Sequence, residues 1–416
     1  MIRENSISFR LGSARLHVHG YSRNVVLCKR LWIAAERTMK DELTLQETLP
    51  SAAYIAPEHF AREKDELFAR SWFCSGREED VAELGSAIII DILGESVIVA
   101  RLKDGSLRAH YNVCRHRGSR LCGNDAKWGL SLNGGIDREY IRCPYHQWTY
   151  GLDGALVSAP HLSREAGFDP ANFSLYPVGI GTWGGFFFLK LSPEPADLKR
   201  STLDDVLGEA PRRLGNYPLG QLKTVRTIQY DVDANWKVIV ENYNECYHCG
   251  GIHPELCEVV PQFRKNGGQG LDWENGIAHR DGAWTYTFSG TTNRRPFETL
   301  DEFERVRHKG ELIYPNLMLS MSAEHGAAFL LWPLAAGRTR VECRFLFDPP
   351  EINRDDFAPE DAIDFWDITN RQDWAVCERV QLGMSTRVHT QGYYAPMEDE
   401  NVDIRRYLEH HLGRET

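Results

Sequence analysis

Two short segments of this chain each carry one cysteine and one histidine, and they restrict the fold more than any other part of the sequence. Cys114 and His116 form the first pair, and Cys143 and His146 form the second after an interval of 26 residues (117–142). Two thiolates and two imidazoles are a complete ligand set for a tetrahedral zinc ion, or for a [2Fe–2S] cluster in which histidines replace two cysteines on one iron. The backbone therefore has to bring both segments to one point.

The grouping of the ligands distinguishes between these two metals. Zinc fingers place cysteine near cysteine and histidine near histidine, whereas each segment here offers one of each. This favours a cluster held between two β-hairpin loops, with both cysteines on the inner iron and both histidines on the outer iron. Gly118, Gly123 and Gly151 let the backbone approach the cluster closely. Cys122 lacks a histidine at the matching offset, and we interpret it as a buried free cysteine.

The residues Cys114–Gly118 and Cys143–Trp148 closely resemble the Rieske motif of the Rieske non-haem iron oxygenases. The interval between the pairs, which contains Gly134-Gly135, is longer than this family leads us to expect and indicates an insertion that removes no ligand. The resemblance extends from about Leu49 to Leu412. It implies an α+β protein, in which a small antiparallel β Rieske domain is joined to a larger α+β catalytic domain of the helix-grip (START-like) type.

A second group of candidate ligands lies in residues 235–254. The pattern predicts a helix from about Trp236 to Cys249, ended by Gly250-Gly251, with His248 at its end and His253 just past a flexible turn. Two imidazoles and one carboxylate, with coordination positions left open, are the facial triad of a non-haem Fe(II) oxygenase. The sequence therefore predicts a mononuclear iron site, whose carboxylate has to come from elsewhere in the chain.

Asp373 is the candidate for this carboxylate, on a long amphipathic helix predicted from Pro359 to Leu382. The residues alone leave Asp364, Asp367 and Glu378 as rivals in the same segment. The resemblance favours Asp373, because Asp-x3-Cys-Glu-x2-Gln is similar to the segment that carries the iron aspartate in these oxygenases.

Glu245 lies three residues before His248, on the same face of the predicted helix. Its segment, Glu-Asn-Tyr-x-Glu-Cys-Tyr-His-Cys, is nearest to the branch of the family that contains the carnitine and glycine betaine monooxygenases. The resemblance implies that Glu245 bridges a Rieske histidine of one subunit, His146 or His116, and an iron histidine of its neighbour. It also implies a homotrimer, in which each cluster serves the iron of the next subunit.

The resemblance implies the oxygenase component of a multicomponent enzyme, in which Fe(II) activates O2 with electrons from the [2Fe–2S] cluster. The expected donor is a separate NAD(P)H-dependent flavin and iron–sulfur reductase, because the chain has no strand-linked Gly-x-Gly-x2-Gly fingerprint. The small-molecule substrate is left open between a quaternary ammonium compound, hydroxylated or oxidatively N-demethylated, and an aromatic acid attacked by a ring-hydroxylating dioxygenase. A Rieske electron-transfer protein without oxygenase chemistry is a third alternative, and it leaves the predicted iron site without a role.

Further patterns predict local structure and substrate contacts. Aromatic side chains of the second domain are candidates for binding an ammonium group by cation–π attraction, although aromatics in strands are more often plain core; these are Tyr243, Trp284, Tyr286, Phe288 and Phe329. An amphipathic helix is predicted from Phe60 to Trp72. Strands are predicted at 86–91, 96–101, 107–113, 138–142 and 147–152, and at 224–232, 283–288, 317–321, 327–332 and 338–347.

Composition and charge limit what this chain can bind and where it can be located. The chain of 416 residues has 48 Lys and Arg against 59 Asp and Glu, and the resulting net charge of −11 argues against nucleic-acid binding. Its apolar stretches are far shorter than the roughly 18 residues of a membrane-spanning helix. Ten cysteines are too few for a disulfide framework, so we expect reduced thiols and a cytoplasmic location.

The chain is expected to consist of four segments. Residues 1–38 are rich in arginine and lie outside the resemblance, either as a transit peptide or because the start codon is assigned ahead of Met39. Residues 39–69 are expected to form a helical segment that packs on the catalytic domain. The Rieske domain is expected over residues 70–190 and the catalytic domain over residues 191–416.

Overall fold

The computed structural model describes residues 7–11, 14–18, 46–123, 135–136, 139–162, 167–192 and 201–413. The chain divides into two compact units, Met1–Gln46 and Glu47–Thr416. In the first unit, strands β1 (Ile7–Leu11) and β2 (Ala14–Val18) pair in antiparallel fashion. The rest of the expected extension 1–38 lies outside the described residues.

The first part of the second unit is an antiparallel β domain. After β3 (Gln46–Glu47), its strands are β4 (Phe73–Arg77), β5 (Ala87–Ile92), β6 (Glu95–Arg101), β7 (Leu107–Tyr111), β8 (Gly135–Ile136), β9 (Tyr140–Arg142), β10 (Thr149–Gly151), β11 (Leu156–Ser158), β12 (Pro177–Trp183) and β13 (Phe186–Lys190). They form a six-stranded sheet in the order β4-β13-β12-β7-β6-β5 and a four-stranded sheet in the order β11-β10-β9-β8. The small antiparallel β domain expected from the sequence is thus present.

Alternation of side chains along β6 connects two cores of this domain. Val97 and Val99 pack in the main core of the unit, whereas Ile98 and Ala100 pack in a smaller core together with the two cysteines of the paired motifs. Successive side chains of a strand point to opposite faces of the sheet. One strand therefore joins the cysteine-containing loops to the rest of the protein.

The second part of the unit is built on another antiparallel sheet. Its strands are β14 (Lys223–Val232), β15 (Ile277–Ala278), β16 (Arg307–Ile313), β17 (Leu317–Met321), β18 (His325–Ala335) and β19 (Arg338–Phe347), and β20 (Tyr393–Tyr394) follows later in the chain. The sheet order is β14-β19-β18-β17-β16-β15. Each predicted strand of this part is confirmed as part of an observed strand, except the one at 283–288, which is wrong.

Residues 283–288 form turns because their backbone groups bond locally. The N–H of Trp284 donates to the carbonyl of Gly290 at 2.8 Å, and the N–H of Gly290 donates to the carbonyl of Thr287 at 3.0 Å. Gly290 has a φ of 78°, in the left-handed region that glycine adopts without strain. The apolar residues that indicated a strand pack individually from these turns and not from one face of a sheet. Tyr286, for example, is only 1% exposed.

Helices cover the second sheet and join the two parts of the unit. They are α1 (Ala52–Ile55), α2 (Pro57–Arg62), α3 (Leu203–Leu207), α4 (Ala210–Arg213), α5 (Trp236–Tyr243), α6 (Cys249–Ile252), α7 (Pro254–Val259), α8 (Pro349–Ile352), α9 (Glu360–Met384) and α10 (Asn401–Leu412). The predicted helix at 359–382 is confirmed as α9. The helix predicted at 60–72 begins as α2 but continues as a π turn (Glu63–Leu67) and a 3₁₀ turn (Phe68–Arg70).

The long helix α9 presents one apolar face to the sheet. Its buried positions recur every three or four residues, as at Ala362, Trp366, Asn370, Trp374 and Cys377, and the apolar ones pack in the main core with side chains of β18 and β19. This gives the α+β arrangement of sheet and gripping helix that the sequence predicts. In the described part of the chain, no helix has both the length and the apolar composition needed to cross a membrane.

A buried polar network ties the N-terminal helices to α5. Lys237 is fully buried and forms an ion pair with Glu63. Glu241 accepts hydrogen bonds from the hydroxyls of Tyr54 and Tyr394, each at 2.7 Å. Burial raises the pKa of the Glu241 carboxyl to about 7, although the two hydroxyls and Lys237 act in the opposite direction.

This raised pKa predicts how stability depends on pH. The ordinary pKa of the carboxyl is 4.5, so the chain takes up a proton when it folds at a pH between 4.5 and 7. Stability from this uptake is fully present below pH 4.5 and is lost as the pH rises through 7, by about 3 kcal/mol. As the pH rises from 5 to 8, the free energy of unfolding of the unchanged protein should therefore fall relative to that of Glu241→Gln. Parallel curves would contradict the assignment.

Candidate metal centres and the adjoining cavity

Two loops of the same backbone construction carry the paired cysteines and histidines. The N–H of Gly118 donates to the carbonyl of Cys114 at 3.1 Å, and the N–H of Gln147 donates to the carbonyl of Cys143 at 3.2 Å. Gly118 and Gln147 have positive φ angles of 71° and 62°. The second loop joins the paired strands β9 and β10, and the first lies between two residues that form an antiparallel bridge. Both are hairpin loops, as predicted.

The side chains of these loops form a set of two sulfurs and two imidazoles. Cys114 and Cys143 are buried, whereas the rings of His116 and His146 lie nearer the surface with their centroids 4.7 Å apart. The Nδ1 atom of His146 is buried and has no hydrogen-bond partner among the described residues. Buried polar atoms are normally paired. An unpaired imidazole nitrogen, in a loop that also carries a buried thiol, fits the ligand set of a [2Fe–2S] cluster.

Tyr150 makes a contact that the sequence motifs did not indicate. Its hydroxyl accepts a hydrogen bond from the N–H of Arg115 at 3.1 Å and lies 3.3 Å from the Sγ of Cys114. Burial raises the pKa of the Cys114 thiol, and the hydrogen bond with Tyr150 acts in the opposite direction. Tyr150 therefore favours the thiolate, which is the form that binds metal. A tyrosine within a strand gave no signal of this role.

The interval between the two pairs is described in part. Residues 124–134 and 137–138 lie outside the described residues, and the insertion indicated by the sequence falls largely within them. Cys122 is buried and forms no disulfide, which confirms its interpretation as a buried free cysteine. The side-chain amide of Asn112 donates to its carbonyl at 2.7 Å and fixes the chain at this point.

The helix predicted from Trp236 to Cys249 is shorter than expected, since α5 ends at Tyr243. The carboxylate of Glu245 accepts hydrogen bonds from the backbone N–H groups of Tyr247 and His248, and this local bonding replaces the next helical turn. His248 therefore precedes the short helix α6 instead of closing α5, and the two glycines expected to end the long helix lie inside α6.

His248, His253 and Asp373 converge although Asp373 is distant in sequence. Nε2 of His253 lies 2.9 Å from Oδ1 of Asp373, and Nε2 of His248 lies 3.3 Å from the same oxygen. The Nδ1 atoms are held separately, that of His248 by Glu245 at 2.5 Å and that of His253 by Gln372 at 2.7 Å. Both Nε2 atoms thus face one carboxylate, and this donor set fits the facial triad of a mononuclear iron.

The rival carboxylates of α9 have other surroundings. Asp364 is exposed. Asp367 accepts a hydrogen bond from the hydroxyl of Tyr230 at 2.6 Å, and Glu378 accepts one from the backbone N–H of Asp233 at 3.1 Å. Among the four candidate acids, Asp373 is the one that the fold brings to the histidines.

The electrostatics of this site favour a bound cation. Burial raises the pKa of the Asp373 carboxyl, but hydrogen bonds with His248 and His253 outweigh burial and hold it below its ordinary value. Burial lowers the pKa of His248, but hydrogen bonds with Asp373, Cys249 and Glu245 reverse this effect and raise it to about 12. Two carboxylates that stabilise the positive charge of a protonated imidazole also stabilise a metal cation that binds the neutral ring instead of that proton.

A cavity of about 340 Å³ adjoins these three residues. Eight aromatic side chains line it, and Tyr243, Tyr286 and Phe329 are among them, as the sequence suggested, together with Trp366. Trp284 and Phe288 are not among its described lining residues, and the Phe288 side chain is half exposed. The charged side chains of the described lining are the carboxylates of Glu245, Glu311, Asp373, Glu400 and Asp403 and the guanidinium of Arg213. Negative charge therefore predominates.

Comparison with known proteins places both parts of the unit in one family. The family model of the Rieske [2Fe–2S] domain matches residues 71–176, and that of the ring-hydroxylating alpha subunit catalytic domain matches residues 219–412. The glycine betaine monooxygenase oxygenase subunit of Chromohalobacter salexigens is 30% identical over 84% of this chain and 82% of its own length. The carnitine monooxygenase oxygenase subunit of Acinetobacter pittii is also 30% identical, over 82% of this chain and 86% of its own.

Solved structures agree with this placement. The quaternary ammonium Rieske monooxygenase CntA with bound γ-butyrobetaine superimposes with a TM-score of 0.66 at 25% identity, over 88% of this chain and 96% of that one. Naphthalene 1,2-dioxygenase from Rhodococcus shares the fold, with a TM-score of 0.67 at 19% identity over 94% and 99% of the two chains. Two candidate ligand sets, two family models and relatives along most of the chain lead to one conclusion: this protein belongs to the Rieske non-haem iron oxygenases, as an oxygenase subunit with a Rieske [2Fe–2S] cluster and a mononuclear iron.

Proposed function

We propose that this subunit hydroxylates a carbon bonded to the nitrogen of a quaternary ammonium compound and thereby cleaves a C–N bond. One oxygen atom of O2 enters the C–H bond, and the other leaves as water after uptake of two electrons and two protons. The resulting N–C–OH group collapses to an aldehyde and a tertiary amine. The electrons come from NAD(P)H through a separate flavin and iron–sulfur reductase.

The lining of the cavity is the observation that carries this proposal. Aromatic faces attract a quaternary ammonium, which cannot donate hydrogen bonds, through the ring quadrupole. Among the described lining residues, Asp373 and Glu245 face the two iron histidines and Arg213 is paired with Glu311, so the one guanidinium is already neutralised and does not favour the anionic group of an aromatic acid. Two relatives named for glycine betaine and carnitine support the same substrate class. Ring hydroxylation of an aromatic acid is the alternative, which the apolar surface of the same rings keeps open.

We assign the metal ligands from the geometry of the two sites. Cys114 and Cys143 hold the inner iron of the cluster, and His116 and His146 hold the outer iron. His248, His253 and Asp373 hold the mononuclear iron, and Glu245 orients His248 through its Nδ1. When bound, this iron activates dioxygen with electrons from the cluster. The Rieske domain is proposed to span residues 70–190 and the catalytic domain residues 191–416, with the described residues 47–69 packing on the latter. Residues 39–45 of the expected segment 39–69 lie outside the described residues.

A matched pair of compounds tests the substrate class. We expect O2 uptake and aldehyde release with glycine betaine, γ-butyrobetaine or carnitine, in the presence of a reductase and NADH. The neutral-carbon analogue of each, in which a tert-butyl group replaces the trimethylammonium group, should support little of either, because it fills the same volume without the charge. Equal turnover of both members of a pair, or turnover of benzoate-type acids alone, would contradict the proposal.

The assembly proposed for electron transfer is a homotrimer whose active unit spans two chains. The histidine side of the cluster site faces outward, where His116 is exposed and the neighbouring Tyr145 is 57% exposed. A neighbouring subunit that covers this surface would bring its own Glu245 to His146 or His116, and cyclic symmetry repeats such an interface three times. Glu245 would then orient the imidazoles on both sides of the path.

Mixed oligomers test the path between subunits. A chain with Cys143→Ala lacks a cluster, and a chain with His248→Ala lacks the mononuclear iron, so neither turns over alone. Co-assembly of the two should restore part of the activity, because some interfaces pair an intact cluster with an intact iron. Glu245→Gln should keep all the iron but slow reoxidation of the reduced cluster by about tenfold or more. A mixed oligomer without activity, or a monomer at working concentration, would contradict the cross-subunit route.

A further inference from the structure

His253 is held at both edges of its ring by two consecutive residues of α9. Asp373 lies 2.9 Å from Nε2, and the amide oxygen of Gln372 lies 2.7 Å from Nδ1. The amide nitrogen of Gln372 in turn donates to a carboxylate oxygen of Glu255, in the first turn of α7, at 3.0 Å. His253 is only 1% exposed, so these side chains rather than bulk water set its hydrogen bonding.

This chain of contacts has one consistent assignment of donors and acceptors. A carboxylate accepts hydrogen bonds and does not donate them, so Glu255 requires the NH2 group of Gln372 to face it. The amide oxygen then faces His253 and accepts a hydrogen bond from Nδ1, which must carry the proton of the neutral ring. Nε2, which donates to Asp373 in the metal-free protein, is then the nitrogen whose proton iron can replace.

We propose that Gln372 and Glu255 are positioning residues, which fix the Nδ1–H tautomer of His253 and so make its Nε2 available to the mononuclear iron. The inference rests on the proposed function because it takes His253 as an iron ligand. It extends that function to two residues outside the ligand set. The two iron histidines then have unlike partners, a carboxylate for His248 and a neutral amide for His253.

The contrast between these partners has an electrostatic consequence. Asp373 and Glu245 already place two negative charges against the imidazoles, which balance the charge of Fe(II). A neutral amide orients His253 without adding a third negative charge in direct contact with it. Glu255 does not contact His253 through this chain of bonds. Its carboxylate accepts a hydrogen bond from the Gln372 amide and thereby fixes the orientation of that amide.

Reversing the polarity of the contacts tests the proposal. Gln372→Leu removes the acceptor for Nδ1–H. Glu255→Lys replaces the acceptor by a donor, so that the Gln372 amide turns its oxygen to the lysine and its NH2 group to His253, which favours the wrong tautomer. Each should weaken binding of the mononuclear iron about 10- to 100-fold. The double variant Glu255→Lys with Gln372→Glu provides a carboxylate that accepts from both sides and should restore binding to within a few-fold of the unchanged protein.

Iron binding is measured by titrating a chelator against the purified protein and counting the iron left per chain, while the visible absorption of the cluster reports that the fold is intact. The ¹⁵N chemical shifts of histidine-labelled protein with Zn(II) in place of the mononuclear iron report which ring nitrogen of His253 binds the metal and which carries the proton, and a merely structural role would not change these shifts. Iron affinities of both single variants within twofold of the unchanged protein would overturn the proposal. So would a double variant as weak as Glu255→Lys alone.

A control separates this inference from the proposed function. His253→Ala should lose the mononuclear iron outright. If His253→Ala keeps its iron, the proposed ligand set itself is wrong. If His253→Ala loses iron while Gln372→Leu keeps it, the ligand set stands and only the positioning role is overturned.

Discussion

Replacing Cys143 with alanine is expected to abolish the visible absorption of the [2Fe–2S] cluster and all oxygenase turnover. Cys143 is 1% exposed and is proposed to supply one of two thiolates to the inner iron, and the described residues around it offer no thiolate in a matching loop that could replace it. Its backbone N–H and carbonyl bond within the loop, to Trp148 and Gln147. Alanine therefore removes the ligand and leaves the hydrogen bonding of the loop unchanged. Cys114→Ala should have the same effect.

Cys122 provides a matched control for this substitution. It is a buried cysteine of the same core, but it has no histidine partner and no place in the proposed ligand set. Cys122→Ala should keep the full absorption, so a loss of colour in this variant would show that the chromophore responds to packing rather than to ligation. Full absorption in Cys143→Ala would refute the cluster assignment.

Removing a ligand of the mononuclear iron should have a different signature. We expect His248→Ala and Asp373→Ala to lose that iron and reduce turnover to background, because each takes away one of the three proposed protein ligands. The cluster absorption should remain, since the four proposed cluster ligands lie on two hairpin loops that carry none of the proposed ligands of the mononuclear iron. Iron content, absorption and O2 uptake measured on one preparation distinguish this outcome from unfolding, in which all three are lost together.

A neighbouring acid on the same helix controls for the change of charge. Asp364 lies on α9 like Asp373 but is exposed. Asp364→Ala should keep both metal centres and nearly full turnover, because a surface carboxylate contributes little to the site. Loss of iron in Asp364→Ala together with full activity in Asp373→Ala would show that the wrong carboxylate has been assigned.

The proposed metal ligands could be predicted from the sequence because metal binding demands particular side chains. Thiolate and imidazole pairs such as Cys114 and His116 are rare by chance, and strand and turn patterns place them on hairpin loops. Asp373 was less accessible, since an acid on an amphipathic helix has many equivalents in the same segment. The resemblance to a family, and not the pattern of α9, distinguished Asp373 from Asp367.

The errors of the sequence analysis have a common physical origin in side chains that bond to the backbone or pack individually. The apolar periodicity continues past Tyr243, but the carboxylate of Glu245 captures the next backbone N–H groups and ends the helix. The alternation of apolar and polar residues at 283–288 is typical of a strand, but hydrogen bonds with Gly290 form a turn there. The contact of Gln372 with His253 gave no signal in the sequence, because His253 lies more than a hundred residues away and comes close only in the fold.

The central claim is that one chain holds two separate metal centres, a cluster with two irons and a mononuclear iron site. Iron and acid-labile sulfide, counted per chain on protein reconstituted under anaerobic conditions, test this most directly. The account predicts three irons and two sulfides. Two irons with two sulfides would show an electron-transfer protein without an oxygenase site, and zinc without sulfide would contradict both centres.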